Sequence, residues 1–262
     1  MKPAPFRYAR PETVEEAASL LAEHGDEAKV LAGGQSLVPM LNMRIARPSL
    51  VVDANRLPLD GIAEENGSWR VGALVRQADP RLLAHPLLAE AIPFVGHFAT
   101  RNRGTVGGSI AHADAAAELP VCLTLLGGAA VTSSGRTIPA QELFVTHFTT
   151  SLEPDELLVA TLWPRPAAGF GYAFAELAQR RGDYALCMAA AAAGPRGELR
   201  VALGAVVDRP TVVDVDPDAP GRSAAAQVEP FGNLHASARY LRHLAGVLVE
   251  RAVARARERA RP

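Results

Sequence analysis

The chain has 262 residues, of which 48% are apolar, and carries 27 Lys and Arg against 28 Asp and Glu. That length allows one to three units of about 100–200 residues with a substantial core. A formal charge of −1 excludes the strongly basic footprint of a nucleic-acid binder and points to a small molecule or a protein as partner. The N-terminus, "MKPAPFRYARPETVEE", lacks an apolar h-region, and no run approaches the ~20 apolar residues of a membrane span, so a cytoplasmic location is expected.

The first predicted element is a helix in "PETVEEAASLLAEHG": Thr13 is placed to cap it, Glu15 and Glu16 lie in its first turn, and Val14, Ala17, Ala18, Leu20 and Leu21 form one stripe. "AKVLAGG" then reads as a buried strand ending in glycine, "SLVPMLNMRIA" as a turn and short helix, and "SLVVDAN" as a further strand. Together they make an α/β unit over residues 1–57. Residues 58–165 begin with a strand pair around Trp69 and Val71, followed by helices through Leu82–Leu83 and Leu87–Phe98. "GTVGGS" reads as a loop, "AELPVCLTLLG" as an apolar helix, and "AAVTSSGRTIPA" as two strands joined at Ser-Gly.

Pro164 and Pro166 mark a boundary, after which residues 166–262 form a third unit. It holds a hairpin turned at "GPRGE", a loop over 208–234 rich in Pro, Asp and Ser, and an amphipathic helix with Leu241, Leu244, Leu248 and Ala252 on one face. The arginines that follow position 250 read as a solvated helix end.

The chemistry-bearing residues are sparse. Cys122 and Cys187 stand 65 residues apart and read as buried thiols, and no histidine lies in HExxH or another close acid–histidine grouping, although His112 adjoins the second glycine pair. No catalytic dyad and no metal site is expected. What stands out is the repeated glycine pair in "LAGGQSL" and "GTVGGS", each followed by a serine. Glycine admits φ > 0 and close approach, and a row of free N–H groups forms an anion-binding concavity, so two such loops could grip one dinucleotide from two sides. Equally, each could be a tight turn with a serine cap. Neither is G-x-G-x-x-G after a first strand nor a P-loop.

"AGGQSLVPMLNMRIARP", "TRNRGTVGGSIAHADAAAELP", "QRRGDYAL" and "HASARYLRHLAGVLVERA" together resemble, in order and spacing, the medium FAD-binding subunit of the molybdenum hydroxylases, the family of aerobic carbon monoxide dehydrogenase and the xanthine dehydrogenases. The resemblance spans nearly the whole chain. It implies an α+β fold, with two α/β subdomains of a PCMH-type FAD-binding fold, a C-terminal antiparallel sheet with helices, and FAD between the subdomains. Carried over by position, it places Ala32, Gly33, Gly34, Gln35, Ser36 and Leu37 on the diphosphate and Thr105, Gly107, Gly108 and Ser109 in a second loop. Asp114 and Glu118 fall along the adenine-to-ribityl side, with a helix N-terminal acid pair as the bland alternative. Leu158 and Tyr184 approach the isoalloxazine, Tyr184 otherwise being a hairpin aromatic.

Ala115 stands where the family usually has proline, Glu118 where it has Asp, and the 208–234 loop is short, as if a helix were missing. The resemblance further implies a large subunit with a molybdenum cofactor, a small subunit with two [2Fe–2S] clusters, assembly as a dimer of heterotrimers, and electron delivery through the flavin to NAD⁺, oxygen or a quinone. The alternative is a stand-alone FAD-dependent oxidase or dehydrogenase acting on its own organic substrate, for which the short loop is the support.

Overall fold

The computed structural model describes residues 1–261, and the fold is α+β with three main sheets. In the N-terminal unit, β1 (Arg7–Ala9), β2 (Ala28–Leu31) and β3 (Leu50–Asp53) form a parallel sheet in the order β1-β3-β2, with α1 (Val14–His24) and the short α2 (Leu37–Asn42) as crossovers. Thr13 caps α1 by accepting the Glu16 N–H at 3.1 Å, and Gly25, at φ +50°, closes its C-terminus. Ala17 and Leu21 of α1 bury their side chains against Val52, which has no exposed surface.

The central unit carries β4 (Ile62–Glu65), β5 (Ser68–Gly72), α3 (Pro86–Ala91), α4 (Phe98–Arg103), α5 (Val106–His112), α6 (Glu118–Leu126), β6 (Ala129–Thr132), β7 (Thr137–Pro139), α7 (Ala140–Leu143), β8 (Phe144–Thr146), β9 (Thr149–Thr150) and β10 (Leu158–Pro164). Five strands pair antiparallel in the order β4-β5-β10-β6-β7, and β8 and β9 make a separate hairpin. The continuous helix expected over Leu87–Phe98 is not formed. α3 ends at Ala91, a 3₁₀ turn carries Pro93, and Gly96 takes φ +47° before α4 begins. The loop expected at "GTVGGS" is also corrected, because Thr105 caps α5 and Val106 to Ser109 form its first turn.

The C-terminal unit has β11 (Gly171–Ala178), β12 (Ala185–Ala193), β13 (Leu199–Gly204) and β14 (Thr211–Val213) in one antiparallel sheet, with α8 (Pro220–Ala226) and α9 (Ala238–Arg259) on one face. The 208–234 segment is therefore not a plain loop: it supplies β14 and α8, the latter starting at Pro220, which fits a first helical turn. The alanines of β12 let α9 approach closely, so Ala189 and Ala191 pack with Leu241, Leu244, Leu248 and Ala252. The other sheet face, with Tyr172, Phe174 and Met188, packs with Leu119 and Leu123 of α6 in the central core. The last arginines are not simply solvated: Arg255 and Arg259 both bind the Glu90 carboxylate, Arg255 at 2.9 Å, and Arg257 donates to the Pro217 carbonyl at 2.7 Å. Cys122 and Cys187 are fully buried free thiols, and no described helix is long and apolar enough to cross a membrane.

Candidate functional site

Parallel strands deliver their carboxyl ends to the same edge of a sheet, which is where α/β units bind ligands. At the ends of β2 and β3 the chain forms a cavity of about 600 Å³ lined by Ala32, Gly33, Gly34 and Gln35 on one side and Asp53, Asn55, Arg76 and Arg103 on the other. Gly34 takes φ +72°, which turns the backbone there at no steric cost. Among the described residues, the N–H groups of Gly33, Gly34, Gln35, Ser36 and Leu37 have no protein acceptor; Gln35 only returns its side-chain amide to the Gly33 carbonyl at 3.2 Å. Such a row of unpaired donors is an anion-binding nest.

The opposite wall is cationic and braced. Arg76 donates to Asn55 Oδ1 at 3.0 Å and to the Arg103 carbonyl at 2.5 Å. Burial, then the neighbouring Arg103 charge, pulls its acidity constant below the usual arginine range, which still leaves it charged. Asn55 in turn donates to the Ala32 carbonyl at 2.9 Å and to Asp53 at 2.6 Å. Burial of Asp53 pushes its carboxyl up, but hydrogen bonds from Tyr8 and Asn55 and the Arg10 charge outweigh it, and the net shift is downward. Asp53, Asn55, Arg76 and Arg103 were missed in reading the sequence. The legible signal was "VVDAN" at the carboxyl end of a parallel strand, beside the first glycine pair.

The second glycine pair serves differently from the expectation. Thr105 caps α5, accepting the Gly108 N–H on Oγ1 at 3.0 Å, while Gly107 donates to the Ala73 carbonyl at 3.0 Å and Ser109 to the Thr105 carbonyl at 3.1 Å. "TVGGS" thus has its glycine and serine N–H groups already spent within the protein, and it is the start of a helix rather than an open cradle. The two motifs do meet. A Cβ on Gly33 would overlap the Arg103 carbonyl and Gly104, and one on Gly108 would sit 3.7 Å from the Ala32 side chain.

Beyond α5 lies a group of acids and aromatics. Ala113, at φ +51°, ends α5, and Asp114 follows with Oδ1 accepting the Ala116 N–H at 2.9 Å and His147 Nε2 at 3.3 Å. Phe148, held at φ +58° by its N–H bond to the Ala113 carbonyl, stacks on His147 with centroids 3.8 Å apart and tilts toward His112 at 4.8 Å. Glu118 opens α6 and is only 7% exposed; burial and the Asp114 charge raise its carboxyl to about 7, against the pull of its own backbone N–H and Arg101. Tyr184 is exposed, and partial desolvation with the charges of Asp114 and Glu118 lifts its phenol, which puts it on the same side as these acids. Leu158 is placed elsewhere: its side chain is buried in the core with Val106 and Ile110 and presents no open surface.

Residues 4–166 match the family of the FAD binding domain in molybdopterin dehydrogenase. The chain belongs to this family. It is 40% identical to subunit alpha of the 6-hydroxypseudooxynicotine dehydrogenase complex of Paenarthrobacter nicotinovorans, over 100% of the chain and 98% of that protein. It superposes on a chain of carbon monoxide dehydrogenase from Hydrogenophaga pseudoflava with a TM-score of 0.94 at 34% identity, covering 100% of both chains. Quinoline 2-oxidoreductase of Pseudomonas putida 86 gives a TM-score of 0.90 at 35% identity, over 98% of this chain and 99% of that one. The family's medium chain is thus what this protein is: an FAD-binding subunit of a molybdenum-hydroxylase-type oxidoreductase.

Proposed function

We propose that the turn Ala32–Leu37 holds the FAD diphosphate, with Arg76 and Arg103 supplying the facing positive charge. The observation that carries this is the row of unpaired N–H groups from Gly33 to Leu37 opening on a cavity with arginines on its far wall. A diphosphate needs several converging donors and a balancing cation, and this wall offers both. Thr105, Gly107, Gly108 and Ser109 support the reading less directly: they press α5 against the first turn and leave the Ser109 hydroxyl to face a ligand. Asp114 and Glu118 lie along the ribityl side and Tyr184 beside the isoalloxazine, while Leu158 packs beneath α5 in the core.

The flavin, when bound, supplies the exchange between one-electron and two-electron carriers. The chain's own part is to bind and orient it, which calls for no nucleophile and no general base on the substrate. In this reading the chain takes electrons from [2Fe–2S] clusters on a small partner subunit, a large molybdopterin subunit oxidises the organic substrate, and the electrons leave to NAD⁺, oxygen or a quinone. The complex is a dimer of heterotrimers. The stand-alone oxidase reading rests only on the shortness of the 208–234 segment, whereas a relative matched along the whole chain is named as a subunit of a dehydrogenase complex, which favours the electron-transfer role.

Expressed alone, the chain should be yellow with stoichiometric FAD that organic substrates do not bleach. Mixed with its iron–sulfur and molybdenum subunits, the flavin should be reduced when substrate is given. A colourless chain that takes up no FAD overturns the site; a flavin bleached by substrate without partners overturns the electron-transfer role.

A further inference from the structure

The β8–β9 hairpin turns on residues that its backbone does not favour. Thr146 pairs with Thr149, so His147 and Phe148 are the whole turn, and Phe148 takes φ +58°. Two-residue hairpin turns select Asn-Gly or Asp-Gly because glycine meets a positive φ without strain, and a bulky residue there is an outlier. Ala113, itself at φ +51°, accepts the Phe148 N–H on its carbonyl at 2.9 Å. Two left-handed residues, neither of them glycine, are thus bonded to each other to hold one aromatic ring. Backbone strain of this kind collects at binding and catalytic sites.

The ring so held is the middle of a stack. His147 lies on it with centroids 3.8 Å apart and planes at 25°, and His112 covers its other side at 4.8 Å and 34°. Asp114 fixes the outer ring, since its Oδ1 accepts His147 Nε2 at 3.3 Å and is itself held by the Ala116 N–H at 2.9 Å. Yet the stack is not core. Phe148 is 55% exposed and the His147 side chain 49%, so with Phe148 on one side of the imidazole, its other face is the open one.

Helix α5 sets where this stack stands. A Cβ on Gly108 would sit 3.7 Å from the Ala32 side chain, so this face of the helix looks onto the first glycine turn. His112 comes four residues later, hence on the same face and about 6 Å further along the axis. The stack is therefore in line with the turn assigned to the diphosphate, beyond it and at the solvent rim. A fixed, flat surface reachable from water suits a ligand that exchanges at every turnover.

We propose that the His112–Phe148–His147 stack binds the electron acceptor, as a planar conjugated ring that extends the stack on the free face of His147. This rests on the electron-exit role proposed above and selects, among its acceptors, those with a ring: a quinone or the nicotinamide of NAD⁺. Tilted and offset stacking is how aromatic groups hold a flat guest. Reoxidation of the flavin then passes two electrons and two protons to a quinone, or two electrons and one proton to NAD⁺, the protons coming from the reduced flavin and from water.

The test uses the FAD-loaded full chain, with a water-soluble benzoquinone and NAD⁺ as probes. In the wild type one of the two should shift the His147 Cε1–H resonance on binding to the oxidised protein, and which one does so identifies the ring. Phe148→Gly removes the middle ring and fits φ +58°, so it should fold with full FAD content and an unchanged visible spectrum. Its affinity for that probe should fall about 5- to 10-fold, the loss of a stacked pair. After reduction by dithionite, reoxidation by low concentrations of the probe should slow by the same factor, while reoxidation by ferricyanide, which has no ring to stack, should not change. No His147 shift with either probe, or wild-type affinity for both in the variant, overturns the proposal. A variant that loses FAD, or whose visible spectrum changes while its probe affinity stays as in the wild type, would assign the stack to the flavin ring and overturn it too. A wild type that takes up no FAD overturns the cofactor reading instead, and the His147 shift in that apoprotein still decides the stack.

Discussion

Gly33 lies flush against the Arg103 carbonyl and Gly104, with no room for a Cβ between them. The glycine is needed there for a joint between two backbones, one leaving β2 and one running from α4 into α5, and only secondarily for the approach of a ligand. Gly33→Val must push these segments apart and misalign the donors of Gly34 to Leu37 with Arg76. Gly34→Val has a separate defect, a β-branched residue at φ +72°. Both variants should bind FAD about 10- to 100-fold more weakly while remaining folded, read by fluorescence titration of the apoprotein and by circular dichroism. Wild-type affinity in both would remove the turn from the FAD site.

Arg76 joins Asn55, the Arg103 carbonyl and the cavity. Its replacement by Gln keeps hydrogen-bonding capacity and removes a partly buried charge facing the nest. FAD affinity should fall about 10-fold or more, and the loss should shrink as salt is raised, because screening already weakens the wild-type contact. Riboflavin, which has no phosphate, should bind both proteins alike. Equal losses for riboflavin and FAD would reassign Arg76 to bracing alone.

The sequence made the elements legible where the local code is strong. Thr13 with Glu16, the α9 stripe through Leu241 and Leu248, and the strand–turn–strand at Gly135 each follow from caps, periodicity or turn residues. It was weaker where a tertiary contact decides. The second glycine pair looks like the first as a string, yet Gly107 is a helix residue packed on Ala73, and nothing local to "TVGGS" announces that neighbour. β14 and α8 were hidden among the Pro, Asp and Ser of the segment around them, since β14 is a short edge strand and α8 buries only Pro220, Gly221 and Ala224. Arg76 and Asn55 became visible as site residues only when the sheet brought them opposite Ala32.

Tyr184 is 71% exposed beside Asp114 and Glu118. An exposed ring contributes little to packing, so Tyr184→Ala should change unfolding stability by no more than about 0.5 kcal/mol. If it lies beside the isoalloxazine, the variant should keep full FAD content, held by the distant diphosphate turn, with an altered visible spectrum and altered reactivity toward oxygen. Identical spectra, potentials and oxygen reactivity would make it a surface aromatic without a flavin role.

His85 ties the central sheet to the C-terminal one, and its protonation should set the acid limit of the fold. It has no exposed surface, accepts the Leu87 N–H on Nδ1 at 3.1 Å as the cap of α3, and meets Trp69 and Tyr172 edge-on with centroids at 5.9 and 5.3 Å. Its Nε2 is near the Pro164 carbonyl but too loosely placed for a hydrogen bond. Burial lowers it from 6.5 to about 4, with the Pro164 carbonyl pulling the other way. The native state therefore binds fewer protons than the unfolded chain below pH 6.5, so stability is complete above that value and is lost as pH falls toward 4. Glu118 and Glu176 act with the opposite sign: raised carboxyls add stability at low pH that is lost as pH climbs through about 7 and about 8. The His85 contribution is thus isolated by a difference. His85→Asn retains a cap for Leu87 and cannot titrate, so the stability of wild type relative to this variant should decline by up to about 1.4 kcal/mol per pH unit across that window, measured by urea unfolding of the apoprotein. A difference that stays constant from neutral pH to pH 5 would mean that His85 gains its proton in the native core at the same pH as in the unfolded chain, so that its burial imposes no shift.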